Sequence, residues 1–291
     1  MSTVAERAGV DDAGPLGDPG LWVDVRGTGP AVLLLAALGD PAEAWEFQLD
    51  AFSGERTVIA FDNRGVGRSP LPPEGISIAS MADDAALVLD QLGLASADVI
   101  GFSGGSVVAQ ELALRHPERV DSLVLVGTWA RPDEYFTRAI RAWRWIAAAA
   151  PDARSFLEAF FLWVYTARAH ADGFVDAVID AALDFPFPQS TEAFLAQIDA
   201  FTEHDALDRL GAIDAPTLVV TGAEDLICPP RLGSEVATAI PGARFVVMPG
   251  EGHQPFQESP DAFNTLVRDF WQQLGGPPTL GTGSQVGDAD A

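Results

Sequence analysis

Asp98-Val99-Ile100-Gly101-Phe102-Ser103-Gly104-Gly105 is an apolar run that ends in a serine set among glycines. Its residues are apolar at successive positions and not only at alternate ones, the pattern of a strand covered on both faces. The residues that follow, Gly105–His116, carry helical spacing and meet a stop signal at Pro117. G-x-S-x-G between a strand and a helix predicts a sharp turn that lifts the Ser103 hydroxyl clear at the edge of a sheet. Glycines stand where neighbouring backbone must pass without a β-carbon.

Working outward, the same kind of run recurs at Ala31–Ala36, Thr57–Phe61, Ser122–Val126, Thr217–Thr221 and Arg244–Met248. Helical spacing fills Met81–Leu92, Arg231–Ile240 and Asp261–Leu274. This alternation predicts an α/β fold: a doubly wound, mostly parallel sheet with helices on both faces. It breaks between residues 131 and 210, a stretch without strand-like runs that is rich in alanine and aromatic residues. There Phe156, Phe160 and Val164 recur every four residues, and Phe194, Ile198 and Phe201 at four and three. The expected organisation is a core of residues 21–130 and 211–274 carrying a helical lid insertion at 131–210. Residues 1–20 and 275–291, rich in Gly, Pro and Asp, are expected to be flexible ends.

Seventeen Lys and Arg against 42 Asp and Glu give a formal charge of -25 over 291 residues, which disfavours nucleic acid and anionic membranes as partners. No run reaches the length of a membrane span and the first residues do not read as a signal peptide, so a cytoplasmic protein acting on a small molecule is expected. The single cysteine, Cys228, allows no internal disulfide. The oligomeric state is left open.

A serine hydroxyl needs a base, and histidine is the side chain whose ordinary pKa suits that task. Of four histidines, His116 sits at a helix end, His170 and His204 lie in the insertion and are expected to be solvated, and His253 follows the last strand in GEGHQPFQESP. In a nucleophile-elbow fold the acid and base follow late strands in the order serine, acid, histidine, which selects His253. The acid follows Thr217–Thr221 in GAEDLICPP; Asp225 is the choice, and Glu224 is the alternative that spacing leaves open. No cofactor or metal is called for, since the chain shows neither a Cys/His cluster nor a phosphate-binding glycine loop.

From about Leu21 to Leu274 the chain resembles the α/β-hydrolase superfamily. Beside GFSGG it has FDNRGVGRSP (Phe61–Pro70), GAEDLICP (Gly222–Pro229) and GEGHQPFQESP (Gly250–Pro260), similar to family motifs in the same order. Within the superfamily it resembles the branch of 3-oxoadipate enol-lactonases, aminoacrylate hydrolases and some polyketide methylesterases. Ser103 stands where haloalkane dehalogenases and epoxide hydrolases carry aspartate. The resemblance implies that Asp62, Arg64, Gly65 and Gly67 brace a turn, and that an oxyanion hole forms from the backbone N–H groups of Leu38 and Gly104. One departure stands out: Ala36-Ala37-Leu38-Gly39 replaces the usual His-Gly, which narrows the loop's dihedral freedom without removing a backbone donor.

The activity expected is hydrolysis of an ester or lactone of a small, largely apolar substrate through an acyl-enzyme. Trp129, Trp143, Trp163 and Tyr165 are the candidates to line its pocket, with Trp145 beside them in the insertion. A carbon–carbon bond hydrolase, a cofactor-free oxygenase, a ligand-binding receptor and an interaction module with a relict triad remain as alternatives, because fold and triad do not determine the reaction.

Overall fold

The computed structural model describes residues 12–17 and 20–275. Eight strands form one sheet: β1 (Asp12–Leu16), β2 (Leu21–Arg26), β3 (Ala31–Leu35), β4 (Thr57–Phe61), β5 (Ala97–Phe102), β6 (Val120–Val126), β7 (Thr217–Gly222) and β8 (Arg244–Met248). Their order is β1-β2-β4-β3-β5-β6-β7-β8; β2 pairs antiparallel with both β1 and β4, and the neighbours from β4 through β8 pair parallel.

The successive apolar positions divide between two cores. Leu33, Leu35, Val99, Leu123, Leu125 and Val219 face one, with α2 (Ile78–Gln91), α3 (Gly104–Arg115) and α9 (Pro230–Ala239). Val32, Leu34, Ile100, Phe102, Val124, Val126 and Val220 face the other, with α1 (Glu46–Ser53), α10 (Pro255–Glu258) and α11 (Pro260–Gln273). Strands with helices on both faces lose no side to water, which is why the pattern reads as continuous and not alternating.

Two strands lie outside the runs read from sequence. β2 alternates, with Leu21, Val23 and Val25 buried and Trp22, Asp24 and Arg26 half-buried, as an antiparallel strand with one covered face does. The expectation of a flexible segment across residues 1–20 is corrected for Asp12–Leu16: β1 pairs with β2 from Asp12↔Val25 to Leu16↔Leu21. Backbone pairing to a formed edge supplies the order that its Gly and Pro content cannot. Residues 1–11 and the tail beyond Gly275 lie outside the described residues.

Between β6 and β7 come five helices: α4 (Glu134–Ala149), α5 (Ala153–Val164), α6 (Ala167–Ala171), α7 (Phe174–Asp184) and α8 (Thr191–Thr202). Asp133, Asp152, Thr166 and Ser190 cap α4, α5, α6 and α8 by accepting backbone N–H bonds. Their apolar faces meet in an aromatic cluster, with Trp143–Phe160 ring centroids 5.1 Å apart, Phe156–Phe194 5.4 Å and Phe160–Phe194 6.1 Å. No helix among the described residues is long and apolar enough to cross a membrane.

Candidate active site

Ser103 occupies the turn between β5 and α3 at φ 49° and ψ −117°, the one non-glycine positive φ among the described residues. Holding such a residue costs on the order of 1–3 kcal/mol, and the surroundings enforce it. The Ser103 N–H donates to the Val126 carbonyl at 2.8 Å, and the Ser106 amide and hydroxyl return to the Ser103 carbonyl at 2.9 and 2.6 Å. The flanking glycines are needed for close approach: a β-carbon at Gly105 would stand 2.0 Å from the Leu35 carbonyl oxygen, and one at Gly101 2.5 Å from that of Gly105. Gly104 is the first residue of α3, so its amide is among those without an intrahelical acceptor.

His253 and Asp225 come from loops after β8 and β7. His253 Nδ1 lies 2.8 Å from Asp225 Oδ2, and both side chains are buried. Asp225 Oδ1 accepts the amides of Ile227 at 2.8 Å and Cys228 at 2.7 Å in an Asx turn, which aims the second oxygen at the imidazole. Glu224 is exposed, and among the described residues its side chain has no hydrogen-bond partner, while its backbone N–H donates to the Glu251 carbonyl. Of the two carboxylates, Asp225 is therefore the one joined to a histidine. The His253 ring packs 4.8 Å from Phe102 and against Gly127, where an added β-carbon would come 2.9 Å from the ring; Gly127 directly follows Val126, which holds the Ser103 amide. The fold thus brings Ser103, His253 and Asp225 to the carboxyl edge of the parallel strands. The His253 N–H donates to Val164 of the insertion at 2.9 Å, which ties the lid to this loop.

The other histidines are placed elsewhere. His116 Nε2 meets Asp83 at 2.7 Å on the surface, and half-buried His170 meets the Phe161 carbonyl at 3.3 Å. The expectation that His204 is solvated is corrected: it is buried 3.2 Å from Gln110 Oε1, and burial lowers its pKa to about 4. Gln110 Nε2 donates to Thr128 and to the Trp129 carbonyl, so this cluster braces the segment after β6.

The FDNRGVGRSP loop is structural in its contacts. Asp62 is fully buried, accepts the amides of Ala42 and Arg68 at 2.8 and 2.9 Å and pairs with the Arg68 guanidinium at 2.7 Å. Arg64 forms a buried fork with Asp84, both bonds at 2.6 Å. Asn63 donates to the Ala36 carbonyl at 3.0 Å, which holds the start of the Ala36–Asp40 loop. Leu38 is buried at the middle of that loop, beyond the end of β3.

Among the aromatic candidates, Trp129 is buried, its ring 4.5 Å from Phe136 and 6.4 Å from Phe201. Trp143 is buried beside Phe160, and Trp163 is half-buried. Tyr165 is buried and donates to Gln257 at 2.7 Å, with burial first and Asp40 second holding its phenol well above the ordinary range. Trp145 is 76% exposed. A depression of about 370 Å³ at Arg168, Asp172, Phe174 and Glu258 is bounded by none of the candidate site residues. Among the described residues no group of three or more His, Cys, Asp or Glu is arranged to hold a metal ion.

Asp40 is a residue that sequence reading passed over. Its carboxyl accepts from Gln254, the neighbour of His253, at 3.3 Å, and desolvation pushes its pKa up to about 7 against the opposing charge of His253. A carboxyl raised in the folded state binds a proton that the unfolded chain releases. Stability from this group therefore falls as pH rises from the ordinary carboxylate range to about 7, and the cost is complete above it. Asp40→Asn is expected to melt close to wild type near the ordinary carboxylate pKa and progressively above it up to pH 8. A melting-temperature difference that does not change with pH would contradict this desolvation.

The order of strands, the elbow and the late Asp and His loops define a class of protein. A family model described as alpha/beta hydrolase fold matches residues 30–161 and one described as TAP-like protein matches 196–282; the chain belongs to the α/β-hydrolase family. It is 34% identical over 262 residues to the protein named "Putative carbamate hydrolase RutD" of Azorhizobium caulinodans, covering 89% of this chain and 97% of that one. Among solved structures it is similar to the "Putative non-heme bromoperoxidase BpoC" of Mycobacterium tuberculosis H37Rv, with a TM-score of 0.78 and 31% identity over 88% of this chain and 96% of that one. The enol-lactonase of Burkholderia xenovorans LB400 superposes with a TM-score of 0.77 at 27% identity, covering 90% of this chain and all of that one. The chain is a hydrolase by family; which bond it cleaves is a separate question.

Proposed function

We propose that this protein is a serine hydrolase that cleaves an ester or lactone bond of a small, largely apolar molecule through an acyl-enzyme. The observation that carries the reading is the Asp225–His253 hydrogen bond of 2.8 Å at the same sheet edge as the positive-φ elbow of Ser103. With Nδ1 committed to Asp225, Nε2 of His253 is left to take the serine proton. Ser103 Oγ attacks the carbonyl carbon, and the oxygen of the tetrahedral intermediate is received by the Leu38 and Gly104 amides. His253 then protonates the leaving alcohol or enol and activates the water that releases the acid. The aromatic cluster of the insertion supports an apolar substrate, and a carbamate would enter the same acyl-transfer scheme.

The test is turnover of chromogenic short-chain esters, lactones, carbamates and β-diketones by purified protein. Ester or lactone cleavage is expected to lead the panel. Preferred cleavage of a β-diketone would move the protein to carbon–carbon hydrolysis, and no turnover with no labelling by a serine-directed phosphonate would remove it from the enzymes.

The insertion is proposed to select substrate size. Trp129→Ala is expected to shift the preferred acyl length and to lower stability by about 3–5 kcal/mol, because a buried indole beside Phe201 is lost. Trp145→Ala, at an exposed site, is expected to stay within about 0.5 kcal/mol of wild type with the ranking unchanged. Chain-length profiles and melting temperatures of both variants check this; an unchanged ranking in Trp129→Ala would contradict it.

A further inference from the structure

One lid helix reaches both sides of the reaction centre. On α8, Phe194, Gln197 and Phe201 lie three and four residues apart and so on one face, and all three are buried. Phe201 stands over the elbow: a β-carbon at Gly104 would come 2.3 Å from its ring. Phe194 lies 3.7 Å from the corresponding point at Gly39. Gln197 Oε1 accepts the Gly39 N–H at 3.2 Å and Gln189 Nε2 at 2.9 Å, and Gln189 Nε2 also donates to the Gly65 carbonyl at 3.1 Å. Gly39 directly follows Leu38, so each amide proposed to receive the oxyanion is touched, or is flanked by a residue touched, by α8.

Gln197 is out of place as mere packing. It is wholly inaccessible, and its Nε2 has no hydrogen-bond partner among the described residues. An amide is costly to bury half-satisfied, and an apolar side chain would fill the space without that cost. What the amide supplies is an acceptor for Gly39. Adjacent peptide planes are joined by only two soft dihedrals, so holding the Leu38–Gly39 plane restricts the plane that carries the Leu38 N–H.

We propose that Gln197 is a positioning residue for the oxyanion loop, with Phe201 doing the same for the Gly104 amide, so that α8 sets the geometry of the oxyanion site as well as roofing it. The proposal rests on the serine-hydrolase reading. A lid anchored in this way couples its own placement to the rate of the chemical step, whereas a lid that only covers the pocket affects substrate binding.

The experiment compares wild type with Gln197→Leu and Gln197→Met, which keep the bulk and lose the acceptor, and with Phe201→Leu. Ile198→Val on the same helix serves as the packing control. Each is measured for labelling rate with a neutral p-nitrophenyl phosphonate, for kcat and KM on a p-nitrophenyl ester, and for melting temperature. The Gln197 variants are expected to label and turn over about ten-fold more slowly, with KM within about two-fold, because misaligning a donor acts on the transition state. Phe201→Leu should fall in the same direction, and Ile198→Val should lose stability without slowing the labelling. Folded Gln197 variants that label at the wild-type rate would overturn the proposal. Failure of both to fold would also overturn it, by assigning Gln197 to structure alone. A wild type that does not label at all would instead sink the serine-hydrolase reading.

Discussion

Ser103→Ala is expected to lower ester turnover by at least about 10⁴-fold while leaving the fold intact. In the proposed mechanism the nucleophile is the serine oxygen alone. The elbow is held by its backbone, through the Ser103 N–H to Val126 and the Ser106 bonds to the Ser103 carbonyl, and alanine tolerates the positive φ no worse than serine does. Circular dichroism and melting temperature should therefore match wild type while kcat collapses. Residual activity above a few per cent, with contaminating wild type excluded by active-site titration, would remove Ser103 from the mechanism.

Asp225→Asn is expected to cost about 10³ to 10⁴ in kcat, and Glu224→Gln little. The geometry explains the asymmetry. Asp225 Oδ1 is claimed by the amides of Ile227 and Cys228, so asparagine would keep its oxygen there and turn its NH₂ toward His253. The imidazole Nδ1 would then have to accept, which places the proton on Nε2, where it cannot receive one from serine. Glu224 is exposed, and among the described residues its side chain meets no histidine. Steady-state kinetics of the two variants decide the matter, and the reverse order would move the acid by one residue.

Where sequence reading succeeded, the signal was local. β4 and β8 lie where their apolar runs ended, at Thr57–Phe61 and Arg244–Met248; for β4 the reason is that a strand buried on both faces imprints its full length on the chain, whereas β8, at the sheet edge, is only partly buried. α9 and α11 begin one residue before the expected bounds, at Pro230 and Pro260, since proline is favoured in a first turn. β2 escaped because it alternates, and β1 because its order comes from pairing with β2 and from no property of DAGPL itself.

The chain by itself determined the doubly wound sheet, the helical insertion and the elbow at Ser103, and pointed to His253 and to an acid at Asp225 or, one residue away, Glu224. Each depends on periodicity or on short-range turn chemistry that neighbouring residues carry. Tertiary structure alone showed which of Glu224 and Asp225 meets a histidine, since one residue of shift is invisible to spacing yet separates an exposed carboxylate from one 2.8 Å from an imidazole. It also decided that His204 is buried, that Asp40 is desolvated beside the His253 loop, and that Gln197 reaches Gly39 across 158 residues of sequence. Desolvation and hydrogen bonding depend on what the fold packs against a side chain, and nothing in the residues around Asp40 or Gln197 records that neighbour.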